Sequence, residues 1–260
     1  MQTHHAHLKQ PDLITSHVEF LSRSTIGPGT LSITPLKLGR QFSTLRIQLL
    51  QSDPQSNTPR LCLEALITQG NLLSEAQSPN ASIRLPIRPL PFSIPKRQEC
   101  EPWNHDPRWP SRRPAAWKIS MFHPPHTPPS SASPTHGPSV REQWVRWATP
   151  EIGRGFTIDS LPYLADSFRP LPEAYGLVGN WNATLSYGVE VKRAPDGAEE
   201  WEWLFMRVEM GEVRNGRFGM DVWIFDEKER LVARSWHTVL IMGAPGERKR
   251  VDRVVEGAKI

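Results

Sequence analysis

Fourteen of the 26 prolines in this chain fall between positions 86 and 138, and that crowding sets where regular structure is able to form. Proline fixes φ and lacks a donor N–H, so neither a helix interior nor a central strand runs through such a zone. The stretch from His123 to Ser139, HPPHTPPSSASPTHGPS, also carries no branched aliphatic residue. Residues 99–139 therefore read as a Pro-rich linker between an N-terminal unit, 1–98, and a second unit, 140–245, with a basic tail at 246–260.

On both sides of the linker the pattern is rich in strands. Residues 14–21, 30–38, 41–50 and 60–68 alternate like strands, with turn signals at Gly27-Pro28-Gly29, Gly39-Arg40 and 52–59. Past the linker, 143–147 is a short alternating strand. Residues 158–168 then place Leu161, Leu164, Ala165 and Phe168 at helical spacing, with Thr157 or Asp159 as cap and Pro170 and Pro172 as stop. Strand candidates follow at 181–193, 202–213, 217–225 and 231–242, joined by APDGAE, RNG and DEKER, which have hairpin chemistry. Hairpin joints make the sheet mostly antiparallel, curled around one helix.

Composition narrows the function classes. Thirty-one basic residues against 27 acidic ones, interspersed, do not describe a nucleic-acid binder. Cys62 and Cys100 supply neither a disulfide framework nor a zinc site, which suits a reducing compartment. No apolar run reaches the roughly 20 residues of a membrane span. His4, His5 and His7 have chelating spacing without a carboxylate or cysteine beside them, so no metal site is assigned. Trp103, Trp109 and Trp117 interleave with Arg108, Arg112 and Arg113, a pattern better explained by tryptophans pinning a connector to the surface than by base stacking.

The two sides also echo each other. LKLGRQFSTLRIQLLQ at 36–51 aligns with EVRNGRFGMDVWIFDE at 212–227, with Gly39-Arg40 matching Gly216-Arg217 at a hairpin turn, as expected of two copies of one unit. With PDLITSHVEFLSRSTIGPGTLSITPLKLGRQFSTLRIQLLQ, EQWVRW, SLPYLADSFRPLP, WNATLSYGVEV and WLFMRVEMGEVRNGRFGMDVWIFDEKERLVARSWHTVLIM in this order, the chain resembles the fungal thioesterase-like proteins, double-hotdog proteins similar to acyl-CoA thioesterase II. The resemblance implies an α+β double hotdog: two curled antiparallel sheets, each wrapping a helix, with acyl-thioester chemistry at their junction. It also implies a first unit truncated at its N-terminus. The family opens that unit with a strand and a long glycine-initiated helix, whereas the ten residues before Pro11 make about 15 Å of helix at most. A sheet short of partner elements is expected to self-associate.

In acyl-CoA thioesterase II the hydrolytic water is held by an Asp, a Thr and a Gln. Carried across by the resemblance, these fall on Asp166 in YLADSF, Thr184 in NATLSY and, in place of the Gln, His237 in SWHTV. An amide only orients water, whereas an imidazole with a reference pKa of about 6.5 also accepts a proton, so Asp166 and His237 are expected to position and deprotonate the water together, with Thr184 as third partner. The bland alternatives are a surface Asp, a strand Thr present for propensity, and a hydrogen-bonded core His. The implied reaction is hydrolysis of fatty-acyl or related acyl-CoA thioesters, with acyl-CoA as the partner and no metal or redox cofactor. The competing readings are a non-catalytic acyl-CoA or acyl-carrier binding module and a pure interaction protein. Ala258-Lys259-Ile260 resembles a degenerate Ser-Lys-Leu address, which leaves a cytoplasmic or a peroxisomal location.

Overall fold

The computed structural model describes residues 6–53, 56, 58–78, 83, 92–103, 118–125, 139–177, 179–197 and 200–243. Alternation of inward apolar and outward polar side chains builds eleven strands among them: β1 (Asp12–Phe20), β2 (Thr30–Lys37), β3 (Ser43–Ser52), β4 (Pro59–Gly70), β5 (Glu101–Pro102), β6 (Ile119–His123), β7 (Val140–Trp147), β8 (Trp181–Val191), β9 (Leu204–Met210), β10 (Arg217–Phe225) and β11 (Leu231–Met242). Every pairing is antiparallel, in the order β2-β3-β4-β1-β8-β11-β10-β9-β7-β6-β5.

This order contains the repeat that the sequence echo suggested. The run β1-β4-β3-β2 on one side of the β1–β8 seam has its image in β8-β11-β10-β9 on the other. Among the described residues, β7 and the helix that follows it have no counterpart in the N-terminal half. Leu31 on the outermost strand is accordingly 64% exposed, and Phe20, which shares its sheet face, 44%.

Two segments depart from the sequence expectation. Within 99–139, β5 and β6 continue the sheet beyond β7, and Ile119 and Met121 are buried in the main core. Five alternating residues, ISMFH, are enough to pair with β7, and the proline signal of the surrounding zone outweighed them. Residues 104–117 and 126–138 of that stretch, including Trp109, Trp117, Arg108, Arg112 and Arg113, lie outside the described residues, as do His4, His5, the tail from 246 and its Ala258-Lys259-Ile260 ending. The helix expected over 158–168 is also shorter: a 3-10 turn at Ile158–Ser160 leads into α2 (Leu161–Ala165), while α1 (Leu72–Ala76) was not anticipated. Arg169 precedes Pro170, which disfavours helical geometry there, so the chain leaves the helix before the spacing of Phe168 has been used.

The sheet's faces are covered differently. Leu161, Leu164 and Ala165, all fully buried, pack on Val145, Met206, Val208, Val222 and Ile224 of the inner face; each leucine contributes about 2 kcal/mol by leaving water. On the outer face Trp144, Trp203, Phe205 and Phe225 are capped by Phe92 and Ile94. Trp144 Nε1 donates to the Pro95 carbonyl at 2.8 Å, so part of the proline-rich stretch is fastened to the sheet. The β10 hairpin turns through Asn215 (φ 53°) and Gly216 (φ 75°), and Arg214 and Arg217 exchange both backbone hydrogen bonds. Two consecutive positive φ values are what a tight hairpin with right-handed twist demands.

Candidate active site

Local chemistry places Asp166 at the end of α2. Thr157 and Ser160 form a capping box at the start of the preceding turn, Pro162 occupies the first helical turn, and Asp166 closes α2 at φ −107°, ψ 9°. This bridge geometry, at the point where the helix ends, carries the carboxylate off the helix and over the sheet. Tyr187 of β8 holds the helix in place, its hydroxyl donating to the Pro162 carbonyl at 2.6 Å. Burial pushes that phenol's pKa up, and the Asp166 charge adds to the effect, so the hydroxyl keeps its proton and remains a donor.

His237 rises from β11 opposite Tyr187. Its parity with Ala233, Ser235 and Val239 points it inward, as the alternation of that strand predicts, and its side chain is fully covered. The ring lies 4.7 Å from that of Tyr187 and meets Phe168 edge-on at 6.0 Å. Nε2 shares a 2.7 Å hydrogen bond with Ser235 Oγ. Nδ1 has no hydrogen-bond partner and stands 3.8 Å from Asp166 Oδ1.

A carboxylate accepts only, so its proximity favours the tautomer with the proton on Nδ1 and leaves Nε2 to accept from Ser235. Burial pushes the imidazole down to about 4, against smaller opposing pulls from the Ala165 carbonyl and Asp221. At neutral pH the ring is therefore uncharged, and it is a weaker base than the free side chain from which its proton-accepting role was expected.

Beside this pair lies a cavity of about 40 Å³, lined by Asp166, Phe168, Pro170, Asn182, Thr184, Met220 and Val239 among others. Roughly 10–15 Å³ of such space already holds a water, so the cavity admits water, and it is too small for an acyl chain. Asp166 and Thr184 thus meet at one cavity, and His237 stands immediately behind the carboxylate. Sequence reasoning did not single out Asn182. Both polar atoms of its amide are buried without a partner, and it shares with Thr184 the side of β8 that lines the cavity. Its position two residues before Thr184 was the available signal, because period-two alternation puts both on one face.

Residues 97–241 match the family model described as the acyl-CoA thioesterase C-terminal domain, and residues 1–70 match that of the N-terminal domain. The chain belongs to the acyl-CoA thioesterase family. A curated relative, the thioesterase-like protein TwmA of Talaromyces wortmannii, is 28% identical over 278 residues, spanning 90% of this chain and 77% of that protein. Among solved structures, a candidate thioesterase II from Thermobifida fusca superposes with a TM-score of 0.71 at 21% identity, covering 91% of this chain and 81% of its own. A hot dog fold protein from Alicyclobacillus acidocaldarius gives 0.70 at 15% identity, covering 90% and 80%. These likenesses establish the hotdog fold. Both acyl-CoA thioesterase family models fall on strands described above, the N-terminal one on β1 to β4 and the C-terminal one on β5 to β11.

Proposed function

We propose that this protein is a double-hotdog hydrolase of acyl-CoA thioesters and that the reaction takes place at the Asp166 cavity. One observation carries the reading: a solvent-accessible carboxylate and a buried neutral imidazole stand 3.8 Å apart at the edge of a small cavity that admits water. Asp166 accepts a proton from that water and the Thr184 hydroxyl fixes its direction, while His237 Nδ1–H, behind the carboxylate, orients Asp166. The water oxygen attacks the thioester carbonyl carbon, and the carbonyl electrons move onto oxygen. As they return, the C–S bond breaks and the coenzyme A sulfur leaves with the proton carried by Asp166. The Asn182 amide N–H groups, unsatisfied within the protein, supply donors for the transient oxyanion. Phe168, Met220 and Val239 form an apolar wall that has to part to admit an acyl chain, and methionine's flexible thioether suits that repacking.

A binding-only role is the second reading, favoured by the full burial of His237, which leaves that ring behind the carboxylate instead of in contact with solvent. Thiol release from short, medium and long acyl-CoAs, measured beside calorimetric binding of a non-hydrolysable thioether analogue, separates the two. Release above the uncatalysed rate supports hydrolysis. Analogue binding without release selects the second reading.

A further inference from the structure

Arg141, on the inner face of β7, is 3% exposed, and its Nε has no hydrogen-bond partner. The residue opposite it on β9 is Val208, part of the core under α2, so the guanidinium is embedded on an apolar face. The carboxylate that acts on it electrostatically, Glu173, is held by Arg169 Nε at 2.7 Å, with both of those side chains nearly covered. His123, on the neighbouring strand, is kept neutral at ordinary pH by its own burial and by the Arg141 charge. Among the described residues, Arg169 thus holds the carboxylate that also acts on Arg141, and Arg141 has no ion pair of its own in this poorly hydrated region. A cation desolvated in this way is costly unless an anion joins it.

The place of this charge indicates which anion. Arg169 lies between Phe168 and Pro170, both of which line the cavity beside Asp166. Arg141 on β7 lies in the row of Ser235, which is two residues before His237 on β11: the row runs Ser235, Val222, Val208, Arg141, three strand spacings or about 15 Å along the sheet. Gln143, the next inward residue of β7, is fully buried with an unpartnered Oε1. An acyl chain with its thioester at Asp166, entering between α2 and the inner face as that packing parts, would run toward these polar groups.

Building on the hydrolase reading above, we propose that Arg141 is a specificity residue that receives a carboxylate at the far end of the acyl group, so that the preferred substrates are CoA thioesters of dicarboxylic acids. The test compares acyl-CoAs of equal carbon number with and without a terminal carboxylate, using the native chain, Arg141→Gln and Arg141→Lys. At the best length, the native protein should favour the carboxylate ester in kcat/KM by roughly 10- to 100-fold, the scale of a charge-assisted hydrogen bond. Arg141→Gln should bring the ratio to about one, and Arg141→Lys should restore part of it. A native ratio of one or less at every length, or a ratio unmoved in Arg141→Gln, overturns the proposal.

If no ester is cleaved, the hydrolase reading fails, and this inference is then read from thermal shifts with free dicarboxylic and monocarboxylic acids. Stabilisation by the dicarboxylic acids alone, lost in Arg141→Gln, supports it. Equal shifts with both classes overturn it, and this comparison on the native chain also decides the matter if the variants do not fold.

Discussion

Asp166 and His237 face each other at 3.8 Å with opposite relations to solvent: the carboxylate side chain is 62% exposed and the imidazole fully covered. A strand places the ring and a helix end places the carboxylate, so the distance depends on how α2 sits on the sheet. In the mechanism proposed above, the proton-accepting role passes to the group that water reaches, and the buried ring serves as a neutral donor that orients the carboxylate.

That division of labour predicts how His237 substitutions behave. His237→Gln, which also presents a donor, should keep kcat within about tenfold of native, whereas His237→Phe, which removes the donor at similar bulk, should lose at least about 100-fold. Steady-state thiol release measures both. A loss in His237→Gln as deep as in His237→Phe would return the base role to the imidazole.

The same burial makes stability depend on pH. His123 and His237 are both pushed down to about 4 in the folded protein, from 6.5 when unfolded. Between those values the unfolded chain binds more protons than the native one, so stability is fully present above pH 6.5, falls as pH drops toward 4, and levels off below it. Each ring contributes on the order of 3 kcal/mol to that fall. Urea titrations at pH 7, 6, 5 and 4 should show it, with His237→Gln removing about half. Equal stability at pH 7 and pH 4.5 would contradict the burial of these rings as neutral species.

Asn182 provides a separate check on the oxyanion donors. Asn182→Ala should lower kcat by about 100-fold with little change in KM, since the amide is called on only as charge develops. A rise in KM at constant kcat would make Asn182 a ground-state binding residue.

Gly188 tests the seam between the two halves. It pairs with His17 on one side and Trp236 on the other, and a Cβ built on it would fall 2.1 Å from the Trp236 ring. Gly188→Ala should cost about 1–3 kcal/mol, the usual range for overpacking, and lower the thermal midpoint. An unchanged midpoint would mean that Trp236, which is 38% exposed, swings outward without loss.

Much of this architecture was legible in the sequence because period-two alternation survives even where turns are irregular. The strands at 217–225 and 231–242 have the limits that alternation assigned to them, and the Gly216-Arg217 turn stands at the echo of Gly39-Arg40. Strands β5 and β6 were hidden because proline content is a regional signal and a five-residue strand is a local one. The helix was overestimated because Phe168, at helical spacing, reaches the core from a bend beyond Asp166. At the site, parity foretold that His237 points inward. Its lowered pKa was not legible, since that depends on the Tyr187 and Phe168 rings brought against it from distant parts of the chain. Asn182 stayed unnoticed because an unsatisfied amide is visible only once its surroundings are known.

The central claim is that the Asp166 carboxylate takes the proton from the attacking water. Single-turnover thiol release by native protein and Asp166→Asn, at acyl-CoA concentrations shown by calorimetry to saturate both, tests it most directly. Native affinity and an unchanged thermal midpoint, together with a rate lower by about 100- to 10,000-fold, is the predicted result. Release by Asp166→Asn at the native rate would contradict it.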